Sequence, residues 1–351
     1  MNTISSIKDN NRRVLITGSS SGIGYQAALA LLNAGFDLIL PCRNAAKAKF
    51  LLERLEKETT NKSSFRRNTY APILDLSDLS SIENCAKQLL QRDKTIDTII
   101  LNAGLQYTGA KQPKWSAQNF ELTFAVNHLG HQYLTLLILP LLFKSNKPRI
   151  LITASDVHNP EAPGGKIGEP AGLGKLDGIR KGKMFLMIDG NLKFNADKAY
   201  KDSKLCNILF AKELYNRISS SGRHIPVIAW APGLVIPRTK KGFFRYSRKY
   251  NEFGQIIFAF IVRDLLRLTE TPENAGKHLF KLASDNQFYK QEFNYFSNKV
   301  KSPGKRIFEI SEVSNEANDS LKAKSLWDIT LELIRKNVKF NIDDHLSKLN
   351  L

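Results

Sequence analysis

Apolar and polar positions along the first half of the chain alternate between two periods. Short runs dominated by apolar residues occur at Arg13–Thr17, Phe36–Pro41, Tyr70–Leu74 and Ile96–Leu101. Between them, Tyr25–Ala34, Ala45–Lys57 and Leu79–Gln91 repeat with a helical period. β-rich runs spaced by helices of this length predict βαβ units around a parallel sheet. Two more strands are predicted at Arg149–Thr153 and Ile225–Trp230. The expected fold class is α/β, a doubly wound parallel sheet in a single domain over residues 1–351, with its core at 13–240. Such a sheet takes its ligand at the carboxyl ends of the strands.

Periodicity stops at Asn159–Lys198, where Pro160, Pro163, Gly164, Gly165, Gly168 and Pro170 cluster. A strand-to-helix connection this long is functional or disordered. Met184, Phe185, Met187 and Ile188 argue for partial ordering over a pocket, so 159–198 is read as an active-site insertion. A helical extension is expected at 305–351.

The chemistry sits where the strands end. Thr17-Gly18-Ser19-Ser20-Ser21-Gly22-Ile23-Gly24 follows the first strand and opens a helix. That arrangement offers backbone N–H groups and a helix N-terminus to a pyrophosphate. After the second strand, Arg43 with Lys47 one turn on suits a 2′-phosphate, which points to NADPH as the cofactor. Asp75 and Leu76, after the third strand, are placed either to meet an adenine or, for Asp75, to cap a helix. Tyr200 and Lys204 stand four residues apart, so phenol and ammonium share one helix face. A cation there is expected to lower the phenol pKa and make it a proton-transfer group near neutral pH. Asn127 lies in an apolar helical stretch and needs polar partners. His128 and His131 read as packing residues, and no metal site is expected.

Composition narrows the setting. The net charge of +19 is scattered along the chain, which suits a solvated surface or an anionic membrane, while no nucleic-acid motif accompanies it. Three cysteines without a pairing pattern, no spanning apolar window and no secretory h-region suggest a cytoplasmic protein. Peripheral contact with an internal membrane stays open.

The glycine turn, Asn102-Ala103-Gly104, Asn127, Ser155, Tyr200 with Lys204, and Pro232-Gly233 together resemble the short-chain dehydrogenase/reductase family from residue 13 to about 290. The resemblance implies a Rossmann-type fold, with Tyr200 as acid/base and Lys204 lowering its pKa and holding the nicotinamide ribose. Ser155 would orient the substrate and Asn127 would support a proton relay. Asn102, Ala103, Gly104, Pro232, Gly233 and Thr239 would meet the cofactor. Homo-oligomers through the helices carrying Asn127 and Tyr200 are common in that family.

A narrower resemblance runs through Val157-His158-Asn159-Pro160, Met187-Ile188-Asp189-Gly190 and Lys198–Asn207 to light-dependent protochlorophyllide reductases. It implies a tetrapyrrole substrate reduced at a C=C bond. That family carries Tyr-Pro-Gly-Cys where this chain reads Ala231-Pro232-Gly233-Leu234. A dark-active carbonyl or retinol-type reductase of a bulky hydrophobic substrate therefore stays open, as does a non-catalytic NADPH- or pigment-binding scaffold. Phe243, Phe244, Tyr246 and Tyr250, interleaved with Arg245, Arg248 and Lys249, lead into the apolar Ile256–Val262. Residues 240–270 are read as a substrate lid, with membrane contact as the alternative.

Overall fold

The computed structural model describes residues 12–236, 249–250, 252–290 and 292–351. Seven strands form a sheet in the order β2-β1-β3-β4-β5-β6-β7. They are β1 (Arg13–Ile16), β2 (Asp37–Ile39), β3 (Thr98–Leu101), β4 (Arg149–Thr153), β5 (Val227–Ala231), β6 (Asn294–Ser302) and β7 (Lys305–Ile310). All neighbours pair in parallel except β6 and β7, which are antiparallel. Strands β3, β4 and β5 are buried along their whole length, as apolar runs covered on both faces must be. Helices Gly22–Asn33 and Pro272–Ser284 cover one face; Leu79–Arg92, Gly130–Phe143 and Ala196–Ser220 cover the other. The order reverses between β1 and β3, and that switch point opens the ligand crevice. This is the Rossmann-type α/β fold expected.

Local chemistry sets where the helices start. Asn44 accepts from the Lys47 amide, Asp78 from that of Ser80, and Asn195 from those of Asp197 and Lys198. The helix at Asn127 is entered through Leu122–Phe124 and then widens into a π-helical turn, Ala125–Leu129.

Two expectations are corrected and one strand is added. The third strand predicted at Tyr70–Leu74 is two isolated bridges, Ile39 with Tyr70 and Cys42 with Ile73. The Cys42 amide donates to the Pro72 carbonyl at 2.9 Å, but Pro72 has no N–H to return, so the ladder cannot continue. Strand β6 went unseen because Asn298, Lys299 and Lys301 interrupt its apolar run. The extension read as helical from 305 instead begins with β7, an edge strand with an exposed outer side.

The insertion is ordered by buried charge as well as by apolar contact. Lys198 Nζ donates to the Gly172 carbonyl at 2.6 Å and to Asp202 at 2.7 Å, with Asp189 at 3.1 Å. Phe185, Met187 and Ile188 are buried, whereas Met184 is exposed on a left-handed backbone turn.

Helix Ser320–Arg335 then packs on Ala196–Ser220: Trp327 stacks on Phe210 at 5.8 Å, and Thr330 meets His128 at 3.2 Å. The C-terminal helix thus occupies part of the surface through which the family resemblance implied self-association. Because Trp327 is fully buried, Trp327→Ala should lose about 3–5 kcal/mol in urea unfolding. Lys324→Ala, on the exposed side, serves as control; a loss under about 1 kcal/mol for Trp327→Ala would show that this packing does not hold the fold.

Candidate active site

The glycine turn is closed from behind by the loop after β3. The Asn102 and Ala103 amides donate to Thr17 Oγ1 at 2.9 and 3.0 Å, and Asn102 Nδ2 donates to the Thr17 carbonyl at 3.1 Å. A Cβ on Gly18 would lie 2.7 Å from Ala103 Cα, and one on Gly24 would lie 2.5 Å from the Gly18 carbonyl oxygen. Only glycine permits this approach. At Gly22, by contrast, φ is +59° and a Cβ would meet nothing within 4 Å, so the turn faces open space. Ser21 makes no side-chain cap there, and the arrangement fits a phosphate group at the helix N-terminus.

His131 completes this support, a role that sequence reading missed by treating it as packing. Its Nδ1 donates to the Asn127 carbonyl at 3.1 Å, so Nε2 is left to accept the Thr17 hydroxyl at 2.9 Å. Burial holds its pKa down to about 4, which keeps the ring neutral as that tautomer requires. The i, i+4 spacing from Asn127 was the available signal.

Beyond β2, Arg43 is exposed and Lys47 half-buried at the start of the helix capped by Asn44. Asp75 accepts from the Ser77 amide and hydroxyl at 2.9 and 2.6 Å, while Asp78 is the N-cap of the next helix. Asp75 therefore shapes its own turn instead of capping that helix.

At the carboxyl end of β4, the Thr153 carbonyl accepts from Lys204 Nζ at 3.0 Å and from Asn207 Nδ2 at 3.2 Å. Ser155 caps the 3-10 turn Asp156–His158, whose ends are also tied down. Asp156 accepts from Tyr295 and Ser297 at 2.7 Å, and His158 donates to the Ser155 carbonyl at 2.7 Å. Ser155 hydrogen-bonds the Tyr200 phenol. Asn127 lies behind the site with every amide position used: Oδ1 accepts from the Leu105 amide at 2.9 Å, and Nδ2 donates to the Leu105 carbonyl and to Ser203 at 3.0 and 2.9 Å.

The protonation balance differs from the sequence expectation. Burial raises the Tyr200 pKa, and the Ser155 hydrogen bond only partly opposes it. Lys204 Nζ stands 5.7 Å from the Tyr200 ring centre. Its own pKa is lowered to about 8 by burial. In the protein as it stands, desolvation therefore outweighs the cation's pull on the phenol.

One cavity of ≈ 1570 Å³ joins these parts. Its walls include Thr17, Gly18, Ser20, Ser21, Gly22, Ile23 and Gly24, then Arg43, Lys47, Asp75 and Leu76. They continue through Asn102, Ala103, Gly104, Ser155, Tyr200, Lys204, Pro232 and Gly233. Asn127 does not line it, and Thr239 lies outside the described residues, as do Phe243–Tyr246 and Arg248. Wall residues that sequence reading missed come from β6, β7 and the segment after them: Asn298, Lys299, Arg306, Ile310 and Glu312. Only the tertiary fold brings them there.

The family model for short chain dehydrogenases matches residues 12–166. The chain is 31% identical over 327 residues to the chloroplastic protochlorophyllide reductase of Cucumis sativus, covering 92% of this chain and 77% of that one. The chain belongs to the short-chain dehydrogenase/reductase family. It is an oxidoreductase of that family's protochlorophyllide reductase-like kind.

Solved structures share the fold. An uncharacterised protein from Mycobacterium paratuberculosis superposes with a TM-score of 0.63 at 21% identity, over 92% of this chain and 93% of that one. The L-sorbose reductase from Gluconobacter frateurii, complexed with NADPH and L-sorbose, does so with a TM-score of 0.59 at 15% identity, over 85% and 98%.

This short-chain reductase carries a measurable cost at Lys204. Below about pH 8 both folded and unfolded states hold the lysine proton, so the desolvation penalty is fully present. Between about 8 and 10.5 the unfolded state binds more protons, and this group makes stability rise with pH. Lys204→Met, which leaves the Thr153 carbonyl bonded to Asn207, should raise the urea midpoint at pH 7 and remove that rise. A variant less stable than wild type at pH 7 would refute the assignment.

Proposed function

We propose that the cavity is the active site of an NADPH-dependent reductase whose substrate is a large hydrophobic ring system of the protochlorophyllide type. The size and continuity of the cavity carry this reading. A volume of ≈ 1570 Å³ exceeds the roughly 300–1,000 Å³ of a pocket for one drug-sized ligand. It runs from the glycine turn past Ser155 and Tyr200 to an end walled by Leu234, Val235, Phe258, Val262 and Leu268. The similarity to a protochlorophyllide reductase over most of the chain supports the substrate class.

The glycine turn with Asn102–Gly104 would hold the cofactor's pyrophosphate and ribose, and Arg43 with Lys47 its 2′-phosphate. When bound, NADPH supplies a hydride. The chain's own residues supply the proton and the geometry. With its pKa raised by burial, Tyr200 keeps its proton at neutral pH and can donate it to the carbon next to the one that takes the hydride. Ser155 fixes the phenol's direction. Asn127 acts through Ser203, whose hydroxyl donates to the Tyr200 carbonyl at 2.7 Å, and so sets the helix turn that presents the phenol. Lys204, with a pKa near 8, can balance a phenolate after the proton leaves.

Leu234 favours a second reading, a dark-active reductase of a bulky carbonyl, because it lines the wall where the resembled enzymes carry a thiol. The deciding measurement is the absorbance of the protein with NADPH and protochlorophyllide, in darkness and after a flash. A red shift only after light is expected, and Tyr200→Phe should slow conversion by about 10²–10⁴-fold. Pigment that binds without conversion would sink the photoreductase reading. Unchanged turnover in the variant would remove Tyr200 as the donor.

The outer side of residues 252–266 supports a membrane-facing role for the cavity mouth. Phe253, Ile256, Phe260 and Leu265 are each more than half exposed, while Phe258 and Val262 of the same segment line the cavity. The Gly304 amide donates to the Arg267 carbonyl at 3.1 Å, bringing the exposed Lys301 and Lys305 to the rim. An apolar face rimmed by cations suits an anionic lipid surface. Co-sedimentation with phosphatidylglycerol vesicles but not phosphatidylcholine vesicles is expected, and Phe253→Ser/Phe260→Ser should abolish it. Equal sedimentation of that double variant would overturn the assignment. Among the described residues no helix is long and apolar enough to cross a membrane.

A further inference from the structure

Arg306 lies on β7 and lines the cavity beside Gly233. Its side chain is 11% exposed, and Nη1 and Nη2 are both buried without a hydrogen-bond partner. Glu270 stands 3.7 Å from Nε, too far for a hydrogen bond, and leaves the edge between Nη1 and Nη2 uncovered. Glu270 is also shared, accepting from the Thr271 amide at 2.7 Å and from Asn298 Nδ2 at 2.9 Å. An arginine cannot discard its charge, and its planar fork is matched to carboxylate and phosphate. A buried guanidinium with two terminal nitrogens unpartnered is costly, and native proteins leave few such groups without a purpose. Gly233 leaves the space beside it clear: a Cβ there would sit 3.4 Å from Nη1 and 2.8 Å from the Asn298 carbonyl.

We propose that Arg306 anchors a carboxylate carried by the hydrophobic substrate, in a bidentate pair. This rests on reading the cavity as the active site. Position decides between the two oxyanions such a site could receive. Gly233 follows β5, the neighbour of β4 and hence one strand spacing, about 5 Å, from the strand that delivers Ser155. The glycine turn follows β1, three spacings or about 14 Å from β5. Arg306 thus stands on the far side of Ser155 from the phosphate anchors, where the substrate must lie. The substrate class it selects is a large apolar ring or chain bearing a free acid.

The test is equilibrium binding to the full-length protein in darkness, read by pigment absorbance, with protochlorophyllide and with its propionate methyl ester. Wild type should bind the free acid about 10- to 100-fold more tightly than the ester, the range for a charge-assisted hydrogen-bond pair. Arg306→Gln should bring the acid to the ester's affinity and leave the ester unchanged, with Arg306→Lys intermediate and the NADPH affinity unmoved. Equal binding of acid and ester by wild type, which needs no variant, overturns the proposal. So does a variant that weakens both pigments alike, which makes Arg306 a structural partner of Glu270, or one that weakens NADPH instead, which makes it a phosphate site. Pigment that is bound in darkness but not converted after a flash ends the photoreductase reading and leaves this one standing. If neither pigment binds, the tetrapyrrole reading falls, and parinaric acid against its methyl ester decides for Arg306 by the same criteria.

Discussion

A lysine ammonium, 3% exposed at the end of a buried strand, is the constraint around which this site is built. Lys204 donates to the Thr153 carbonyl at the last residue of β4, and Asn207 one turn later donates to the same oxygen. Two helical turns are thereby fixed against the strand end. Because Tyr200 lies one turn before Lys204, its phenol is delivered to Ser155, two residues beyond that carbonyl. Burial works against this arrangement, since it pulls the lysine pKa down to about 8. A charge kept where it is destabilising, at the point where the proposed catalytic groups converge, is what selection for chemistry over stability produces.

The same economy of contacts explains the rear of the site. Thr17 carries one hydroxyl proton, which goes to His131 Nε2, while its oxygen accepts from the Asn102 and Ala103 amides. Through His131 it reaches the Asn127 carbonyl, and through the Asn127 amide it reaches Leu105 and Ser203. The glycine turn, the loop after β3 and the helix of Tyr200 therefore share one hydrogen-bonded chain. Widening of the helix at Ala125–Leu129 into a π turn coincides with that chain, as such turns often do at functional sites.

What could be read from the sequence follows from how local each signal is. The glycine turn, the strand Arg149–Thr153 and the spacing of Tyr200 and Lys204 are written in adjacent residues, and the structure places them as expected. Tyr70–Leu74 misled because β propensity does not record which amide a proline removes. Strands β6 and β7 escaped because their pairing is with each other and with β5, more than sixty residues upstream of β6. The direction of the Tyr200 shift was missed for the same reason. Spacing shows that a cation is near, but not how much water the fold excludes from both groups. Lys198, Asp189 and Asp202 are a further case, a buried ion cluster holding the insertion that no local pattern announced.

The cavity's inventory of acidic protons limits its chemistry. Leu234 offers none, and Cys206 is fully buried away from the cavity with its pKa raised by burial. Cys42 does line the cavity, but its thiol is pushed up to about 11 by burial. It also follows β2, three strand spacings or about 14 Å from β4. At the reacting end the structure instead offers the Tyr200 phenol, aimed by Ser155 and backed by Lys204. A C=C reduction needs one proton after the hydride, and a phenol whose partner lysine titrates near 8 can supply it without help from a thiol. On the proposed reading, leucine in place of the cysteine changes a wall of the cavity without removing the one proton that such a reduction needs. On that reading Leu234 bears on how the substrate is held, and Tyr200 on whether it is reduced.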